Sequence, residues 1–128
     1  MKENTVFEAD SKIRLILESV KVLSDESFQK NCWLEGKCNG RFSSFEEEVC
    51  YIFDDYSLEE FLNGDLSVAS LSQKQFSALS IFKDILEDFC NQTPALSNPE
   101  EIIKATDWQA VIQAAKNVLT EFNLLPDL

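Results

Sequence analysis

Carboxylate side chains are concentrated in one part of this 128-residue sequence, between residues 41 and 65. Eight acids stand there against Arg41 alone, so this acidic segment carries −7 of the formal net charge of −12. Carboxylates at such density can bind a divalent cation, exchange protons with a substrate, or pair with a basic protein surface. Like charges one helical turn apart destabilise a helix by about 0.2–0.5 kcal/mol per pair, so the clustering suggests a function.

The other residue types needed for catalysis or metal binding are sparse. The chain has no histidine, which excludes Ser-His-Asp and Cys-His catalysis and His-ligated zinc. It also has no Gly-rich phosphate loop, no GxSxG motif and no D-x-D-x-D-G calcium loop. We therefore expect a protein that is not an enzyme, with no catalytic residues, no metal site and no cofactor.

The negative charge also restricts the class of partner. A surface this acidic repels phosphate groups, so we expect binding neither to nucleic acid nor to membrane surfaces. The first residues contain no apolar stretch typical of a signal peptide, and no apolar run approaches the roughly 18 residues that a membrane span requires. The predicted location is the cytoplasm.

Four cysteines are present: Cys32, Cys38, Cys50 and Cys90. Cytosolic thiols stay reduced, and the separation of the first two is not the C-x2-C spacing of zinc or redox sites. Cys50 and Cys90 are interpreted as small residues at the edge of the core, and the other two as incidental. The sequence thus predicts neither a disulfide nor a structural metal.

Helical periodicity runs through the chain, and no segment alternates with the period of a β-strand. The first helix is expected to begin near Asp10, and Asn98-Pro99 is a later start signal. Four residue pairs have the capping-box spacing that begins a helix: Ser44 with Glu47, Ser57 with Glu60, Ser72 with Gln75, and Thr106 with Gln109. These signals predict a single all-α domain over residues 1–128, a compact bundle of five to seven helices.

Apolar stripes identify the candidate core. After Ser72 the apolar arc, Ile81 included, spans more than half of the helix circumference, so this helix is expected at the centre of the bundle. Its predicted core residues are Phe82, Ile85, Leu86 and Phe89. The last helix carries a second stripe, formed by Trp108, Val111, Ile112, Ala115, Val118, Leu119 and Phe122.

The same periodicity places part of the acidic segment on the surface. The residues expected to face the core are Phe45, Val49, Ile52, Phe53 and Tyr56. Tyr51 then faces outward with Glu47 and Asp54, and an outward tyrosine ringed by charge resembles an interface hot spot. A solvated face whose first acids favour the helix dipole is an equal alternative. The predicted partner-binding residues are Glu47, Glu48, Tyr51, Asp54, Asp55, Glu59 and Glu60.

Two stretches of the sequence carry a resemblance to a known class of proteins. Residues 43–62, SSFEEEVCYIFDDYSLEEFL, resemble the small acidic helical immunity proteins of bacterial polymorphic-toxin and contact-dependent growth inhibition systems. Residues 106–116, TDWQAVIQAAK, with an Asp-Trp pair opening an apolar helix, are also similar to them. The resemblance implies a cytosolic inhibitor that binds one cognate toxin domain, often a nuclease with a basic cleft, and blocks its active site or substrate surface.

Three functions are compatible with these observations. The leading hypothesis is an immunity protein that neutralises a cognate toxin domain, a nuclease, through an acidic surface. The alternative is an acidic helical adaptor or anti-regulator that mimics nucleic acid toward a basic protein, and a neighbouring toxin gene would distinguish the two. The third is a small enzyme with a carboxylate site, whose signature would be a raised carboxylate pKa inside a pocket. The sequence leaves the oligomeric state open.

Overall fold

The structure, a computed structural model, describes residues 2–38, 43–55, 58–64, 71–92 and 98–124, with residues 2–11 and 55 described by their backbone alone. Helix α1 spans Lys2–Ser24, and α2 spans Glu26–Gln29 and continues as a π-helical turn at Lys30–Leu34. Helix α3 spans Phe45–Cys50 and continues as a second π-helical turn at Tyr51–Asp55. The remaining helices are α4 at Leu58–Asn63, α5 at Gln73–Gln92, α6 at Pro99–Lys104 and α7 at Thr106–Glu121. The prediction of an all-α bundle is confirmed, and no strand occurs in the described residues.

Three of the predicted helix starts are confirmed by their hydrogen bonds. The Ser44 hydroxyl accepts from the Glu47 amide at 3.1 Å, and Asn98 Oδ1 accepts from the Glu100 amide at 2.9 Å. Ser72 and Gln75 cap each other reciprocally, with their bonds at 3.1 and 2.9 Å. Each bond satisfies a backbone amide that the first helical turn leaves without a partner.

One predicted start is wrong, one is confirmed without its capping box, and one lies outside the described residues. Helix α7 begins at Thr106 as predicted, but its cap is Ala105, and the side-chain amide of Gln109 donates to Glu26 at 3.0 Å instead of closing a box with Thr106. Helix α1 begins at Lys2 and not near Asp10, since neither glycine nor proline interrupts that stretch. The start predicted at Ser57 falls on a residue that the structure does not describe.

The last helix, and not the one after Ser72, lies at the centre of the bundle. Helix α7 packs against both α1 and α5, and its predicted stripe is buried from Trp108 to Leu119. In α5, Phe82, Leu86 and Phe89 are buried as predicted, but Ile85 is half-buried and Ile81 is 56% exposed. The expectation for α5 was wrong because a wide apolar arc shows that several sides are apolar, not that neighbours cover all of them.

An aromatic cluster fills the junction between α2, α3, α5 and α7. The Trp108 ring, which is fully buried, lies 5.1 Å from Phe89, 5.6 Å from Phe45 and 6.1 Å from Trp33, measured between ring centroids. The rings meet edge-on or tilted, which are the arrangements that aromatic quadrupoles favour. Four helices are therefore joined by a single group of side chains.

The buried indole of Trp108 also has its polar atom satisfied. Trp108 Nε1 donates to Gln29 Oε1 at 2.9 Å, and Gln29 Nε2 donates to the carbonyl oxygen of Val22 at 2.9 Å. Gln29 has no exposed surface, so neither bond can be replaced readily by water. This pair of bonds attaches the end of α1 and the whole of α2 to the first turn of α7.

We predict that Gln29→Met will lower the free energy of unfolding by about 1–3 kcal/mol, because it leaves a buried indole N–H without its acceptor. Gln109→Met is the matched control: it removes the same functional group from an exposed bond and should change stability by less than about 0.5 kcal/mol. Urea unfolding followed by tryptophan fluorescence measures both variants. Equal losses for the two would show that the buried bond is unimportant.

Candidate functional site

The acidic segment forms two neighbouring elements on the surface of the bundle. Helix α3 with its π-helical turn carries Glu47, half-buried, and Asp54, exposed, while α4 carries the exposed Glu59 and Glu60. The π-helical turn packs against α4, so these carboxylates belong to one region. We call Glu47, Tyr51, Asp54, Glu59 and Glu60 the acidic face. Asp55 lies in the same π-helical turn, but its side chain is outside the described part of the chain.

Glu48 does not belong to this surface, and its predicted outward position was wrong. It is 1% exposed, and its Oε2 accepts a hydrogen bond from the Ser43 hydroxyl at 2.8 Å. Ser43 in turn accepts from Trp33 Nε1 at 3.1 Å. The carboxylate therefore holds the start of α3 against the π-helical turn after α2, and it is a structural residue rather than a partner contact.

A spacing signal for this burial was present in the sequence. Glu48 follows Phe45 by three residues and precedes Ile52 by four, which is the spacing of a single inward-facing helical stripe. Ile52 is fully buried and Phe45 packs against the core. The residue type, in contrast, favoured a position at the surface, because buried glutamates are rare unless they are paired.

Glu59 is on the acidic face as predicted, but its charge is partly compensated. Lys83 of α5 lies 3.8 Å from Glu59 and 3.2 Å from Asp84, and the lysine side chain is only 14% exposed. Burial lowers the pKa of Lys83, but the hydrogen bond to Asp84 and the charges of Glu87, Asp84 and Glu59 outweigh it, and the pKa is raised. Lys83 thus stays charged at physiological pH and links α4 to α5.

Tyr51 is the first residue of the second π-helical turn and is half-buried. Partial burial suits an amphipathic side chain at a surface. A π-helical turn contains more residues than an α-helical one, and such turns occur often at functional sites. The role of Tyr51 as an anchor for a partner stays a prediction.

Cys32 and Cys38 form a disulfide, which corrects the prediction that all four cysteines are thiols. The bridge ties Cys32, buried in the middle of the first π-helical turn, to the segment that follows this turn, where Gly36 adopts a positive φ of 74°. Cys50 is exposed and not at the edge of the core, while Cys90 is half-buried. The expectation failed because it depended on the compartment, whereas the turn at Gly36 brings the two cysteines together.

The described residues contain no other constellation with obvious chemistry. No group of three or more acidic or cysteine side chains is placed to hold a metal ion among the described ranges. None of the described helices is both long and apolar enough to cross a membrane. Glu100 pairs with Lys104 at 2.7 Å, and the hydrogen bond and charge of that lysine lower the pKa of the carboxyl.

The fold and site together define an all-α bundle with an exposed acidic face and a buried aromatic junction. The chain belongs to the DUF7945 family, a domain of unknown function, whose model matches residues 11–125. Comparisons with curated proteins and with solved structures gave no match.

We predict that the protein purified without reductant will show two reactive thiols after unfolding, and four after reduction. In the folded protein Cys50 should react first, because burial, aided by the charge of Glu87, raises the pKa of the Cys90 thiol. Thiol titration with peptide mapping of the alkylated sites measures both. The variant Cys90→Ser should lose only the slower of the two alkylation reactions. Four reactive thiols before reduction would contradict the disulfide.

Proposed function

We propose that this chain is an immunity protein, a cytoplasmic inhibitor that neutralises a cognate bacterial toxin domain, a nuclease, by binding its basic cleft. The observation that carries the proposal is the acidic face, which combines the exposed Asp54 and Glu60 with the half-buried Glu47 and Tyr51. The resemblance of residues 43–62 and 106–116 to such inhibitors supports it. Because neither histidine nor a phosphate-binding loop is present, the chain would act by occupying a site and not by catalysis.

The proposed mechanism is electrostatic. A nuclease holds substrate phosphates with arginine and lysine side chains, and carboxylates can take their place because both ligands accept charge-assisted hydrogen bonds. Opposite charges also steer the encounter, which raises association rates toward about 10⁸–10⁹ M⁻¹s⁻¹ at low salt. A fast encounter suits an inhibitor that must act before its target damages nucleic acid.

Rigidity of the acidic face supports this role. The Ser44 cap fixes the start of α3, and the bonds joining Trp33, Ser43 and Glu48 hold it against the bundle. The ion pair between Lys83 and Glu59 attaches α4 to α5. A face ordered before binding loses less conformational entropy on association, so its charges contribute more fully to affinity.

The test uses the toxin domain encoded by the gene beside this one, measured by growth rescue on co-expression and by surface-binding kinetics. The triple variant Glu47→Gln, Asp54→Asn, Glu60→Gln should associate about tenfold more slowly at low salt, because charges at the rim steer the encounter. Tyr51→Ala should mainly speed dissociation, with a loss of ~2 kcal/mol if the ring is a central anchor.

The matched control removes three exposed acids that lie elsewhere, by Glu35→Gln, Glu87→Gln and Glu101→Gln. It changes the net charge equally, so only a local role for the acidic face predicts a difference between the two triple variants. Similar kinetics for both would mean that the acidic face is simply solvated. Failure of the chain to rescue growth or to bind the neighbouring gene product would contradict the immunity function.

A further inference from the structure

Helix α5 presents an apolar residue on its outer side that no described element covers. Ile81 is 56% exposed, the most exposed large apolar side chain among the described residues. It borders a groove of about 560 Å³ between α5 and α7. Ser77, Ala78 and Ala114 line this groove, and their small side chains leave room for a branched one.

Two opposite charges lie at equal distances on either side of Ile81. Lys74 precedes it by seven residues and Asp88 follows it by seven. Seven residues make almost two helical turns, so all three share one side of α5, with each charge about 10 Å from Ile81 along the axis. Both charged residues are exposed, and neither forms an ion pair with another described residue.

A second, separate groove of about 160 Å³ lies farther along the same two helices. It is lined by Ile85 and Asp88 of α5 and by Asp107 and Ala110 of α7. Lys74 lines the first groove together with Glu121 of α7, and Asp88 lines the second. Along α5 itself, the surface therefore has a basic residue at one end, the apolar Ile81 at its middle and an acidic residue at the other end.

We propose that a second copy of this chain docks on this surface, with the two α5 helices antiparallel and a two-fold axis passing at Ile81. That axis places each Lys74 opposite Asp88 of the partner subunit, so one symmetric arrangement forms both ion pairs. It also places each Ile85 over the small residues near Ser77 of the partner subunit. An isologous interface needs a self-complementary patch, and the sequence of charges along α5 supplies one.

This interface goes beyond the proposed function and is expected to be weak. One helix face is smaller than the roughly 800 Å² per partner of a standard stable interface. The net charge of −12 on each chain also opposes association. We expect a dissociation constant on the order of 10–100 μM, which is measurable by sedimentation velocity between about 5 μM and about 1 mM.

The decisive experiment uses charge reversal. Lys74→Glu alone places a carboxylate opposite Asp88 of the partner subunit in both pairs. Asp88→Lys alone places an ammonium group opposite Lys74 of the partner subunit in both pairs. Each variant should therefore weaken dimerisation about tenfold or more. A chain carrying both reversals should dimerise like the wild type. An equimolar mixture of the two single variants should form a mixed dimer, because only an antiparallel two-fold arrangement restores both pairs between different chains.

Controls separate this interface from general effects. Lys116→Glu makes the same charge change on exposed α7 surface and should leave dimerisation unchanged. Ile81→Asp should weaken it about tenfold or more, whereas Leu15→Asp, at a residue 48% exposed on α1, should not. A wild type that stays monomeric to about 1 mM would overturn the proposal. Single reversals without effect, or a mixture that fails to associate, would overturn it equally.

Discussion

The buried indole of Trp108 imposes two requirements that much of this bundle serves. Its large apolar surface must be packed, and the rings of Trp33, Phe45 and Phe89 do this from three different helices. Its N–H must find an acceptor in a dry environment, and Gln29 provides it. Helix α2 has only four residues before its π-helical turn and would not be stable alone, so the bond from Gln29 to Trp108 explains why it is helical at that position.

Local signals in the sequence predicted the fold class and most helix starts, because a cap depends on residues three positions apart. The box of Ser72 with Gln75 forms as its spacing indicates, since both partners lie in the same turn. The box of Thr106 with Gln109 fails because a residue 83 positions away, Glu26, accepts from Gln109 instead. Burial also depends on residues that are distant in the sequence. The apolar arc of α5 therefore could not show that no described helix covers Ile81.

The location of the candidate site was predictable, but the environment of each of its carboxylates was not. A count of charges treats every carboxylate between residues 41 and 65 alike, whereas the structure gives them different environments. Glu48 is hydrogen-bonded in the interior, Glu59 is beside Lys83, and Glu60 is exposed on the same short helix. These differences depend on Trp33 and Lys83, which lie outside the segment, and on hydrogen bonds of Ser43 that the helical periodicity of the segment does not predict. Fewer charges therefore face a partner than the formal −7 suggests, and their geometry matters more than their number.

Helix α5 connects the acidic face with the groove while keeping them on different sides. Lys83, which holds α4, is two residues after Ile81, and two residues correspond to about 200° around a helix. A second copy bound along the Ile81 side would thus leave both acidic faces accessible, pointing away from the shared axis. That separation also limits the repulsion between two acidic chains, because the face that meets the other copy carries a basic residue, Lys74, at one end. The same helix can therefore serve association with a copy of itself and support a face that attracts basic proteins, without either surface occluding the other.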